Sequence, residues 1–184
     1  MNAKRTNKLM LKYIELEGLK GQVLDEIKEL SQEEINKKPS ESEWSISQVV
    51  SHLIDSETGV NKYVNNKLKK PNELTRSGIK GFIASRILNK KLQSSQKFQI
   101  PKIIAHPNNG ISFDELNENW TKSRLFLIET VENFPKDKIN KAIFKHPVAG
   151  KLSMDQTLSF MINHFKHHLP QINKLKKMFE ENSK

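Results

Sequence analysis

Ser31 and Glu34, Ser45 and Gln48, Ser112 and Glu115, and Ser153 and Gln156 each set a serine three residues ahead of a glutamate or glutamine. Each pair has the form of a capping box. The serine side chain accepts from the backbone N–H three residues on, and the acidic or amide side chain bonds back to the serine N–H. The last three boxes each precede a run whose apolar residues recur at helical spacing. A chain punctuated this way is committed to long helices. Its seven glycines and seven prolines are few, as suits long helices joined by a few loops.

The first run covers roughly residues 4–30, with Leu9, Leu16, Leu19, Val23, Ile27 and Leu30 on one face. Gly18 and Gly21 within it are points of close packing or of weakening. Residues 32–36 make one further short turn before Lys38-Pro39-Ser40 breaks the chain. The second run extends from about Ile46 to Leu68, where Lys69-Lys70-Pro71 stops it. Ile46, Val49, Val50, Leu53, Val60 and Val64 form its stripe. Glu57 falls inside that stripe, so a buried carboxylate in need of a partner is expected. His52 lies on the flank and Asp55 towards solvent. A separate helix is expected over about residues 75–93, as an insertion in a long connection, followed by an extended loop from Ser94 to Gly110. The third long helix spans about 113–133, with Leu116, Trp120, Leu127 and Val131 inward. A loop from His146 to Leu152 then leads to the last helix, which runs from Ser153 to about Glu181. Its core stripe is Leu158, Met161, Ile162, Phe165, Leu169 and Ile172. Pro170 inside it deletes one backbone hydrogen bond and should kink the axis. Together these describe one all-α domain over residues 1–184, a four-helix bundle with an inserted helix and long crossover loops.

The charge balance excludes little. Thirty-one Lys and Arg against 21 Asp and Glu give a net charge of +10, which can attract nucleic acid. The lysines, however, are spread along the whole chain without aromatic interleaving, so a nucleic-acid-binding module is the less favoured alternative. No run approaches the ~18 apolar residues of a membrane span, and Met1-Asn2-Ala3-Lys4-Arg5 has no apolar leader. A cytoplasmic protein without membrane association is expected. The absence of cysteine excludes disulfides, thiolate nucleophiles and cysteine metal sites.

Any metal must therefore use histidine, carboxylate or carbonyl ligands, and histidine is concentrated in one place. Three of the six histidines lie in Asn163-His164-Phe165-Lys166-His167-His168-Leu169-Pro170-Gln171. His164 and His168, four residues apart, stand one turn apart on one helix face and can share a divalent ion. His167 points nearly opposite, towards solvent. A third ligand from another helix would complete a half-open site, and His52 is the candidate; the competing reading is a half-buried histidine bonded to a neighbouring helix. His106 and His146, each before a proline, read as loop residues. No glutamate follows His164, so the metalloprotease H-E-x-x-H pattern is absent.

Two stretches sharpen this. Trp44-Ser45-Ile46-Ser47-Gln48-Val49-Val50-Ser51-His52-Leu53-Ile54-Asp55-Ser56-Glu57 resembles the second-helix signature of the DinB/YfiT-like superfamily. His146-Pro147-x-x-Gly150-x-Leu152-Ser153, followed by His164-x-x-x-His168-x-x-Gln171-Ile172, resembles its fourth-helix signature, and Pro101-Lys102 also fits. The resemblance covers about residues 5–178. It implies an antiparallel four-helix bundle binding one divalent metal, most often zinc or nickel, through His52, His164 and His168. It also implies homodimers, and activities that include thiol-dependent S-transfer and hydrolysis on small-molecule substrates, with a low-molecular-weight thiol as cosubstrate in the first case. A non-catalytic metal-binding bundle is the alternative. Three neutral imidazoles leave the ion's charge uncompensated and a position open, as in catalytic sites. Around the ligands, Gln171 could steer a ligand or bound water, and Glu57 could hold a histidine's second nitrogen. No residue is assigned as general base.

Overall fold

The computed structural model describes residues 2–76 and 107–182. Among them are five helices: α1 (Asn2–Ile27), α2 (Gln32–Asn36), α3 (Ile46–Leu68), α4 (Phe113–Glu132) and α5 (Met154–Asn182). Short 3-10 turns at Pro71–Glu73 and Lys136–Lys138 and a two-stranded hairpin, β1 (Phe144–His146) and β2 (Gly150–Leu152), complete the described elements. The expected helix at 75–93, the loop around Pro101-Lys102 and His106 fall almost wholly outside the described residues.

Three of the four capping boxes close in both directions, at Ser31–Glu34, Ser45–Gln48 and Ser153–Gln156. At the fourth, Ser112 accepts from the Glu115 N–H at 3.1 Å, but the Glu115 carboxylate does not return to the cap. The apolar stripes turn inward as their spacing requires. Leu16, Val23 and Ile27 of α1, Ile46, Val49 and Val50 of α3, Leu127 and Val131 of α4, and Leu158 and Ile172 of α5 are all fully buried. Trp120 of α4 stacks on Phe165 of α5 with ring centroids 5.1 Å apart. A Cβ placed at Gly18 or Gly21 meets nothing within 4 Å, so neither glycine is there for close packing. Pro170 sits inside α5 without ending it.

Side-chain pairs give the helix directions. Between α1 and α5, Lys12 pairs with Asp155, Glu15 with Lys166 and Glu26 with Lys176; the numbers rise together, so these helices run parallel. The α3–α4 seam behaves the same way, with Thr58 bonded to Ser123 and Asn65 to Thr130. Across the α1–α4 seam the order reverses, Glu17 meeting Arg124 and Lys20 meeting Thr121, and it follows that α3 and α5, which meet at His52 and His164, also run in opposite directions. Two seams are thus parallel and two antiparallel. The physical reason lies in the connections. A parallel α3–α4 pair needs a return path along a helix of 23 residues, roughly 35 Å at ~1.5 Å per residue, and the stretch of sequence between Leu68 and Phe113 is long enough to span it.

The loop expected over 146–152 is instead a hairpin, pairing Phe144 with Leu152 and His146 with Gly150. Gly150 takes φ +71° there, a left-handed conformation in which a side chain would be strained. The His146 ring closes the turn, its Nδ1 accepting from the N–H groups of Val148 (3.1 Å) and Ala149 (3.0 Å).

Glu57 finds its partner on α4. The Arg124 Nε lies 2.9 Å from Glu57 Oε1, and both side chains are 2% exposed. Ser123 Oγ donates to the same oxygen at 2.9 Å. Breaking a buried pair strands a charge, whereas removing both members avoids that cost. Arg124→Met alone is therefore expected to destabilise the protein by about 3–5 kcal/mol, and adding Glu57→Leu should recover much of the loss. Urea unfolding of the single and double variants measures this; a double variant as unstable as the single would contradict it.

Candidate metal centre

α3 and α5 cross so that the flank of one carries His52 and the flank of the other His164 and His168. His52 is 7% exposed, and the other two are half-buried. The rings meet edge to face in a triangle, with centroid separations of 5.0 Å (His52–His164), 5.1 Å (His52–His168) and 4.9 Å (His164–His168). One ring nitrogen from each lies within 4.8 Å of the others. The closest pair is His52 Nε2 and His164 Nε2, at 3.1 Å.

This donor set fits a divalent transition metal. Imidazole nitrogens bind zinc at ~2.0–2.1 Å, so two of them on one ion are at most about 4.2 Å apart. The 3.1 Å pair meets that limit directly, and the third ring offers a nitrogen within 4.8 Å of both. An all-nitrogen set suits zinc, copper, iron or nickel rather than calcium or magnesium. The ring nitrogen not facing the cluster is also positioned on His168, where Nδ1 lies 3.0 Å from Gln171 Oε1. An amide oxygen only accepts, so this contact puts the proton on Nδ1 and leaves Nε2 with a free lone pair.

Desolvation keeps the cluster neutral. Burial pushes His52 down to about 4 from the ordinary 6.5. Burial does the same to His168, which is lowered to about 4 although Gln171 opposes the shift. His164 is lowered well below its ordinary value by burial, with the neighbouring histidines adding repulsion. Aromatic rings supply much of the cover: Trp44 lies 5.2 Å from the His52 ring, and Phe160 stacks on His164 at 5.6 Å. At neutral pH the three rings are thus uncharged, the form in which imidazole binds a metal.

The structure brings His52, His164 and His168 together and sets Gln171 against His168. Glu57 lies elsewhere in its contacts, with Oε1 engaged by Arg124 and Ser123. His167, expected in solvent, is half-buried, its ring edge-on to His168 at 5.1 Å; the helical wheel gave its direction but not the bulk of its neighbour. Sequence reasoning missed Phe160 and Arg124. Phe160 lies one turn before His164, a spacing that could have identified it. His146, read as a loop residue, packs its ring on Phe160 at 4.5 Å.

The sequence profile of the DinB superfamily matches residues 15–172. The chain is also similar to the uncharacterized protein YuaE of Bacillus subtilis (strain 168). The two are 26% identical over 156 residues, which cover 85% of this chain and 91% of that protein. No solved structure matches the chain.

The depressed histidines fix the sign of a pH dependence. Their folded values lie below the unfolded 6.5, so between pH 6.5 and about 4 the unfolded chain binds more protons and stability falls as pH falls. Metal-free protein should therefore melt at a lower temperature at pH 5.5 than at pH 7. Replacing all three histidines by glutamine should reduce that difference, the remainder coming from His146, which burial also lowers to about 4. Thermal melts in chelator read the outcome, and an unchanged slope in the triple variant would refute the assignment.

Proposed function

The chain belongs to the DinB superfamily, and from that membership together with its three-imidazole cluster we propose a metal-dependent enzyme acting on a small molecule. The reaction class is hydrolysis or thiol-dependent S-transfer, and the scaffold is a four-helix bundle of α1, α3, α4 and α5 in up-down-down-up order. The observation that carries the reading is the convergence of three neutral ring nitrogens from two helices with no carboxylate among them. Zinc or nickel is the ion this set would hold, through His52, His164 and His168.

With no anionic ligand, a bound divalent ion would keep its charge and acidify a water or small thiol at its open position. The chain's own residues do the rest. Gln171 fixes the His168 tautomer and ring plane. Trp44 and Phe160 exclude water from the imidazoles, which strengthens every electrostatic contact a substrate makes there. Residues that support metal ligands in this way typically contribute ~10–100-fold in metal affinity.

Protein purified without added metal should carry one equivalent of transition metal by elemental analysis, and His164→Ala should lose it. Gln171→Leu should bind the same ion about 10–100-fold more weakly. Loaded protein should either hydrolyse small ester and amide reporters without thiol, or conjugate a small thiol to a chlorobimane electrophile. Either activity should vanish on chelation and return with metal. Full metal retention by His164→Ala, or no activity in both assays from stoichiometrically loaded protein, would sink the proposal.

A further inference from the structure

The outward face of α1 carries apolar side chains that no described element covers. Leu11 and Ile14 are each more than half exposed, and so is Leu125 of α4. Among the described residues only Val148 joins them as an exposed large hydrophobic side chain. Leu125 stands one turn from Thr121, which bonds to Lys20 of α1, so it lies on the α1 side of α4. The Glu17–Arg124 and Lys20–Thr121 pairs set it level with Leu16, within a turn of Ile14. Single exposed hydrophobic residues need no explanation, but a contiguous group marks an interaction surface.

Two glycines share that face of α1, Gly18 one turn beyond Ile14 and Gly21 two turns beyond it. Both are exposed in the body of the helix, where glycine is destabilising relative to alanine. Nothing within the chain requires them, because a Cβ at either position meets open space. Their spacing fits a second copy of the same helix. Leu11 and Gly21 are symmetric about Leu16, and so are Ile14 and Gly18. One antiparallel register of α1 on its copy therefore seats Leu11 on Gly21 and Ile14 on Gly18, and a two-fold axis repeats both contacts.

Charge favours the same direction. Towards the start of α1, Lys8 and Lys12 share the one carboxylate of Asp155 and leave a positive charge over. Towards its end, Asp25 pairs with Lys28, while Glu29 makes no ion pair among the described residues. An antiparallel copy sets these ends against each other with opposite sign, whereas a parallel copy would oppose like with like.

We propose that this face of α1, with Leu125 beside it, is the interface of a homodimer in which two α1 helices pack antiparallel about a two-fold axis level with Leu16. The interface is separate from the histidine cluster and does not depend on metal binding or on the reaction proposed above.

Sedimentation velocity of the full chain from about 1 to 100 µM tests this. A reversible dimer is expected, unchanged by chelator and by His164→Ala, and weakened by added salt. Ile14→Glu and Leu125→Glu, both at exposed positions, should each raise the dissociation constant about tenfold or more. Gly18→Leu should do the same while leaving the melting temperature of the dilute chain unchanged or raised, since the fold has room for the side chain and leucine favours the helix. Val148→Glu, on the hairpin, should dimerise as the parent does. A chain that stays monomeric at about 100 µM, or a dimer that survives Ile14→Glu combined with Gly18→Leu, would overturn the proposal. So would a monomer that sediments with phosphatidylcholine vesicles through the same face, which would make the patch a lipid contact.

Discussion

The Arg124 guanidinium is the contact on which the rest of the molecule depends. It is buried on α4 and meets each of the other three long helices: Glu57 of α3 at 2.9 Å, Glu17 of α1 at 3.4 Å, and the ring of Phe165 of α5 at 5.5 Å. A charge so placed loses several kcal/mol of hydration, and its ion pairs do no more than offset that. Its consequence is positional. Phe165 is the residue after His164, and Glu57 lies five residues beyond His52, so one guanidinium sets the relative height of the two helices that carry the histidines. Burial pushes the Glu57 carboxyl up, against the pull of Arg124; the pair holds only while both members are present.

This fastening also makes sense of the helix directions. Parallel neighbours cannot be joined by a tight turn, so the α3–α4 seam is made by contacts distant in sequence. Ser123 shows the density of polar bonding there. It accepts from Thr58, donates to Glu57, and offers its carbonyl to Asn61. Such bonds are directional, and they fix register along a seam where apolar contact alone would tolerate sliding. The α1–α5 seam uses ion pairs instead, with Lys12 reaching both Asp155 and Ser159. Those pairs are partly exposed and contribute little individually.

Much of this was legible in the sequence, and what was missed has a common cause. The periodic stripes and capping boxes located α3 at Ile46–Leu68 because both are local signals. The same periodicity put Glu57 inside an apolar stripe and demanded a partner for it. The partner was equally available: Arg124 lies between Trp120 and Leu127 on the inward face of α4, a charge where none should be. Pairing the two was a tertiary step that one helix's periodicity does not supply. The hairpin at 144–152 escaped because three-residue strands carry no periodic signature, and its turn is closed by a histidine side chain rather than by a recognised turn pair. Helix direction escaped for the same reason, since a stripe specifies a face and not a neighbour.

The fate of Glu57 bears on the chemistry at the imidazole flank of α3. A free carboxylate one or two turns from His52 would offer an anionic ligand or hydrogen-bond acceptor to the cluster and lower the charge of any ion held there. Arg124 and Ser123 take its Oε1 instead. The imidazole flank is left without a compensating anion, so a site built there favours an anionic partner such as a thiolate or a developing oxyanion. The buried Glu57–Arg124 pair carries no net charge when both members are ionised, so it does not cancel that preference through the core. α3 can present such a face because its single inward carboxylate is already neutralised by α4.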